Sequence, residues 1–141
     1  MGKEKMKAAV WVSKGEVQVQ DWPVAQPVED QVLIKVAYTG ICASDMHIVE
    51  GGLPPSVLWP PRIIGHEFSG VVESVGPKVK AYKKGDKVVA HPVGPCGECF
   101  HCREGEDNLC TNVFSVIRNP HQGSFAEYVL VPRSGIESGV L

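Results

Sequence analysis

A chain of 141 residues with fourteen basic and sixteen acidic side chains, formal charge -2, has the length of one domain and no dominant sign. A composition of 43% hydrophobic and 21% charged residues excludes a disordered or fibrous chain, and with near-balanced charge a nucleic-acid or anionic-membrane footprint is not expected. Fifteen glycines and eleven prolines demand many turns and favour a β-rich fold over a helical bundle.

The first residues, Met1 to Lys7, are charged and hold no apolar stretch of signal-peptide type. No later run reaches the roughly 18 apolar residues of a membrane span. The expectation is a cytoplasmic protein whose thiols stay reduced. Lys7–Val12 and Glu16–Asp21 are short and valine-rich and flank Lys14-Gly15, the pattern of a β-hairpin. Gln31–Thr39 alternates apolar and polar residues and reads as a strand. Ser44–Glu50 suits one or two helical turns stopped by Gly51-Gly52, and Leu53–Arg62, with four prolines, reads as an irregular loop. Phe68–Val75, Asp86–Ala90 and Ser124–Val131 complete the predicted strands. Residues 94–112 are rich in Cys and Gly without periodicity and read as a loop or small lobe. Six or more short strands with turns between them predict a barrel or sandwich.

Five cysteines in a reducing compartment call for an explanation other than disulfides. Cys96, Cys99 and Cys102 stand at two-residue gaps, and Cys110 follows. Four thiolates close a tetrahedral shell around zinc, with Gly94, Gly97 and Gly105 easing the turns. Four unliganded cysteines would sit in an apolar core rather than in a polar loop. A bacterial-ferredoxin cluster would need a three-residue gap and then Cys-Pro, which Cys110 does not provide. The metal then supplies the folding energy that so small a lobe lacks. His101 lies among these cysteines as a bystander.

Cys42 is left over, in Gly40-Ile41-Cys42-Ala43-Ser44-Asp45-Met46-His47, and Gly65-His66-Glu67 follows. Cys, His and carboxylate are ligand types of a catalytic zinc, which keeps one position open. The ordered set of these two segments, Gly85-Asp86, the four cysteines and Gly123-Ser124-Phe125-Ala126-Glu127-Tyr128 resembles one family over about residues 6–132. It is similar to the N-terminal, GroES-like catalytic domain of zinc-dependent alcohol dehydrogenases in the medium-chain dehydrogenase/reductase superfamily.

That resemblance implies a mainly β, partly open GroES-like barrel over residues 1–132, with short helical segments and a structural-zinc lobe at 94–112. It implies Cys96, Cys99, Cys102 and Cys110 as the structural zinc site. Cys42 and His66 are implied as ligands of a catalytic zinc. Glu67 matches the glutamate that can bind that zinc itself in the polyol and threonine dehydrogenase branches and sits just behind it elsewhere. Asp45 matches the carboxylate that orients the ligating histidine. Ser44 matches the hydroxyl that takes the alcohol proton, and His47 the histidine that relays it to solvent. The implied substrate is a small alcohol or polyol, and the implied hydride acceptor is NAD(P).

A glycine-rich Rossmann loop is expected after the first domain in this family, yet no two of the fifteen glycines stand two residues apart. Residues 133–141 read as a tail outside the family pattern. The expectation is that these 141 residues do not turn over alone and need a nucleotide-binding domain, as on a separate chain. The apolar cleft wall left bare would favour self-association. The alternative expectation is a non-catalytic, zinc-stabilised GroES-like binding module. Fold analogy with co-chaperonins carries no function. Trp59 reads as a half-buried loop aromatic, His91 and His121 as loop-side histidines, and Glu127 as structural.

Overall fold

A computed structural model describes residues 4–52, 58–119 and 122–141, so Met1 to Lys3, residues 53–57 of the proline-rich loop and His121 lie outside the described residues. In chain order the elements are β1 (Lys5–Ser13), β2 (Glu16–Pro23), β3 (Val32–Thr39) and α1 (Ala43–Val49). Then come β4 (Arg62–Ile63), β5 (Phe68–Val75), β6 (Lys87–Val89), β7 (Val93–Gly94) and α2 (Phe100–Arg103). The last are β8 (Phe114–Ser115), β9 (Tyr128–Val131) and α3 (Arg133–Glu137).

Every pairing is antiparallel. One sheet runs β2-β1-β4, a second runs β6-β5-β3-β9, and β7-β8 forms a short ribbon at the root of the cysteine lobe. The β1-β2 hairpin turns at Gly15, whose φ of +75° favours glycine. In β1 the alternation puts Met6, Ala8 and Val10 inside with Ile63. The largest core packs Val32 and Ile34 of β3 on Phe68 and Val72 of β5 and Val129 and Val131 of β9. A third cluster, Trp11, Ile48, Leu58 and Ile64, fixes α1 to the barrel. No described helix is long and apolar enough to cross a membrane.

The segment predicted as one strand, Ser124–Val131, divides in the structure. Its first half bridges β1 through Ala8 and Ala126, with the Ala9 N–H donating to the Phe125 carbonyl at 2.8 Å. Its second half pairs with β3. Glu127 is the crossing point. Its carbonyl accepts from the Val36 N–H at 3.0 Å, its N–H donates to the Lys7 carbonyl at 3.2 Å, and its carboxylate accepts from the Lys7 N–H at 2.7 Å. One stretch thus stitches the two sheets, which remain an unclosed barrel.

The residues after Pro132, expected as a tail, form α3 and a packed end. Val140 is buried with the main core and its carbonyl accepts from the His91 N–H at 2.8 Å. A Cβ on Gly135 would stand 2.8 Å from Val131 and 3.0 Å from Phe114, so only glycine lets α3 lie this close.

Two glycines give the fold a test. A Cβ on Gly70 would stand 2.3 Å from the Lys35 carbonyl oxygen inside the β3-β5 ladder. Gly70→Ala is expected to lower unfolding free energy by about 3 kcal/mol through overpacking. Gly85 has open space but a φ of +94°, so Gly85→Ala is expected to cost only about 1 kcal/mol of backbone strain. Urea unfolding of the zinc-loaded variants reads both.

Candidate metal centres

The cysteine lobe brings its four sulfurs together without a disulfide: all five cysteines are free thiols. Zinc–sulfur bonds of about 2.3 Å in a tetrahedron set neighbouring sulfurs about 3.8 Å apart. Cys99 and Cys102 Sγ lie 3.5 Å apart, and Cys96 and Cys102 Sγ 4.0 Å, on either side of that edge length. The donor set therefore fits a closed, four-thiolate zinc site. Cys99 caps the first turn of α2, which aims Cys102 back at it, and Gly97 and Gly105 take φ of +74° and +78° on either side. The Cys102 backbone N–H holds the Cys99 thiol down to about 5, and the Cys96 N–H, 3.3 Å from Cys110 Sγ, lowers that thiol too. Desolvation among its neighbours, with the Cys99 contact, pushes Cys102 up to about 12.

A second cluster gathers Cys42, His66 and Glu67, whose ligand atoms lie within 4.8 Å of one another. Cys42 ends the turn before α1, and the chain enters the helix with Asp45 in its first turn. The Asp45 carboxylate is 2% exposed. It accepts from the Cys42 N–H at 3.0 Å and from the Gly65 N–H at 3.2 Å. One oxygen also stands 3.3 Å from Nδ1 of His66, itself buried. That nitrogen lacks a well-aligned hydrogen bond, so the carboxylate faces it as an electrostatic partner. The opposite nitrogen, Nε2, points to the cluster, 3.3 Å from Ser44 Oγ and 4.0 Å from Glu67 Oε1. Three gathered ligand atoms leave a fourth tetrahedral position open, unlike the four-sulfur set of the lobe. His47 stands exposed, three residues beyond Ser44 on the same face of α1.

Residues quoted from the sequence only as parts of motifs, without a role, build the support. Gly65 has a φ of +92°, and a Cβ there would meet Phe125 at 2.6 Å and Ser124 Oγ at 2.8 Å. The Ser124 N–H donates to the Gly65 carbonyl at 3.1 Å and the Phe125 N–H to the Ile64 carbonyl at 2.9 Å. Gly123 fits as closely, since a Cβ would stand 2.4 Å from the Ile64 carbonyl oxygen. Both motifs were visible in the sequence, but not that they cross each other this closely.

Other sequence candidates fall outside both clusters. His101 pairs with Glu106 at 3.2 Å. Nδ1 of His91 contacts the Val93 carbonyl oxygen. Trp59, expected to be half-buried, is 60% exposed because its neighbour Leu58 takes the inward place.

The family profile of the alcohol dehydrogenase GroES-like domain matches residues 28–138. Sorbitol dehydrogenase of Bacillus subtilis is 39% identical over 127 residues, which cover 89% of this chain and 36% of that protein. D-xylulose reductase A of Aspergillus oryzae is 39% identical over 119 residues, 83% of this chain and 33% of that protein. Among solved structures, a cobalt- and zinc-bound thermostable alcohol dehydrogenase from Pyrobaculum aerophilum superposes with a TM-score of 0.78. It shares 31% identity, over 93% of this chain and 40% of its own. The chain spans little more than a third of the length of the relatives it matches.

The cysteine lobe predicts a proton count. Backbone N–H donors favour the thiolate at Cys99, and desolvation and crowding among the sulfurs favour the thiol at Cys102, so the coupled set is expected to be partly ionised at pH 7. Zinc binds thiolates, so loading the lobe displaces only the protons that the set still holds. Fewer than four protons per zinc are expected at pH 7, rising as pH falls below about 5, where Cys99 is protonated as well. Calorimetric zinc titrations in buffers of different ionisation enthalpy measure the number.

Proposed function

Because the chain belongs to the family of alcohol dehydrogenase GroES-like domains, we propose that it is the zinc-binding catalytic part of an alcohol or polyol dehydrogenase. The observation that carries this reading is the meeting of Cys42, His66 and Glu67 ligand atoms within 4.8 Å, beside the Ser44 hydroxyl. When bound, zinc supplies Lewis-acid polarisation of the alcohol oxygen and NAD(P) supplies the hydride acceptor.

This chain's own residues bind, orient and move a proton. Cys42 and His66 hold the metal, with Glu67 as the third ligand. Asp45 keeps Nδ1 of His66 on its own side, so that Nε2 faces the metal. The Ser44 hydroxyl accepts the proton of the alcohol and passes it to His47, which is exposed and releases it to water. Cys96, Cys99, Cys102 and Cys110 hold the structural zinc. The relatives named sorbitol dehydrogenase and D-xylulose reductase favour a polyol over a simple alcohol as substrate.

The nucleotide site belongs to a further domain or to a partner chain. Tyr38, Ile41 and Met46, near Cys42 in sequence, are exposed apolar side chains. Such side chains suit cover by a docked domain, and left bare they favour self-association. Zinc-binding thiolates are kept reduced, so a reducing compartment such as the cytoplasm suits this reading.

Metal content tests the reading first. Zinc-replete protein is expected to carry two zinc ions per chain and to lose one under mild chelation. Cys42→Ala is expected to carry only the firmly held one. A wild-type chain that never exceeds one zinc overturns the open site. Where a nucleotide-binding domain restores turnover, Ser44→Ala is expected to lower kcat about 100-fold or more. His47→Ala is expected to lose less and to recover with added imidazole buffer, as a relay histidine would. No recovery would remove His47 from the proton path.

A further inference from the structure

Resting on that reading of the open site, we infer that Thr39, Gly40 and Ser124 form a positioning corner that sets how Glu67 meets the metal. None of the three is a ligand. All three act on the one residue of the cluster whose carboxylate stands outside bonding position.

The backbone side of the corner follows from counting protons. The Glu67 carbonyl accepts from the Gly40 N–H at 2.7 Å and from the Thr39 hydroxyl at 3.2 Å. A hydroxyl has one proton to give. Thr39 spends its proton on Glu67, so the 2.8 Å contact between Thr39 Oγ1 and Ser124 Oγ must be donated by Ser124. The direction of the chain is therefore Ser124 to Thr39 to the Glu67 carbonyl. Ser124 is wholly buried, against Gly65, and so anchors the chain on the segment that carries His66. Both acceptor positions of the Glu67 carbonyl are filled, which locks the peptide that follows Glu67.

The side-chain side of the corner is Gly40. The three atoms nearest to a Cβ built there all belong to Glu67, the closest being Oε2 at 3.0 Å. Gly40 does not have the positive φ that would itself call for glycine. Its missing side chain is therefore room for the carboxylate. In a tetrahedron with zinc–nitrogen and zinc–oxygen bonds of about 2.0–2.1 Å, nitrogen and oxygen ligands stand about 3.4 Å apart. Glu67 Oε1 lies 4.0 Å from Nε2 of His66, wider than that edge. With its peptide locked and its flank free of a side chain, the carboxylate would reach a bound metal by side-chain rotation rather than by backbone movement. Thr39, Gly40 and Ser124 thus decide whether Glu67 or an outside oxygen fills the third position.

The test uses the full chain with zinc in the cysteine lobe and the open site stripped by mild chelation. Cobalt(II) is then titrated into the open site and its visible ligand-field bands are followed. Thr39→Val keeps the shape and removes the donor, and it is expected to weaken cobalt binding about tenfold and change the bands. Thr39→Ser keeps the donor and is expected to restore both. Gly40→Ala, which crowds only the carboxylate, is expected to shift the bands in a protein whose unfolding temperature is unchanged. It decides the matter if Thr39→Val fails to fold. Wild-type affinity and bands in both Thr39→Val and Gly40→Ala would overturn the inference, as would a Thr39→Ser protein as impaired as Thr39→Val. If Cys42→Ala abolishes cobalt uptake while those variants change nothing, only this inference falls. If wild-type protein takes no cobalt beside its lobe zinc, the open-site reading falls with it.

Discussion

The buried carboxylate of Asp45 is the constraint on which the open cluster depends. It takes one backbone N–H from Cys42 and one from Gly65, and faces the His66 ring. A charge at 2% exposure is tolerable only when it is met by donors and an opposing partner. The same contacts join two stretches far apart in sequence, the turn into α1 and the loop after β4. The cluster's geometry is therefore a by-product of satisfying one ion. Without that ion the Cys42 and Gly65 amides would lose their acceptor, and His66 would lose the group facing Nδ1.

The barrel serves the cluster through its seam. The stretch from Gln122 to Val131 lies first along the Ile63–Gly65 backbone, then beside β1, then as β9 beside β3. Gln122 Oε1 accepts from the Ile63 N–H at 2.9 Å, and Asn119, 1% exposed, donates its amide to the Leu130 carbonyl at 2.9 Å. These polar side chains end backbone groups that an unclosed barrel would otherwise leave unpaired. Joining the two sheets and holding His66 are one task, done by one stretch of chain. The cysteine lobe stands apart from it, tied to the body by β7, β8 and the contact of Gly94 with Ser138.

Much of this was legible in the sequence because the signals are local. Alternation in Lys7–Val12, Gln31–Thr39 and Phe68–Val75 marks β1, β3 and β5, since strand periodicity is written in adjacent residues. The two-residue gaps of Cys96, Cys99 and Cys102 mark the lobe for the same reason. The two-residue strand β4 is too short to have a period. The split of Ser124–Val131 depends on which neighbours lie on either side, which no window of sequence holds. The helix α3 has neither a capping side chain nor a long apolar face, and Gly135 lowers its propensity; packing on Val131 and Phe114 makes it. The roles of Thr39 and Ser124 were hidden because two hydroxyls 85 residues apart leave no pattern.

The spacing of the ligands along the chain sets an order of assembly. The lobe's sulfurs span residues 96–110, so its closure is a short loop with little entropy to lose. It can form on a nascent chain as soon as Cys110 is free of the ribosome. The open cluster has its ligands by residue 67, yet the stretch that seats His66 begins only at Gln122. Its last essential part is made more than fifty residues after its last ligand. A metal ion met during synthesis would therefore find the ligands of the thiolate lobe all made before the open cluster has its support. The topology delays the Cys42–His66–Glu67 cluster until the barrel around it exists.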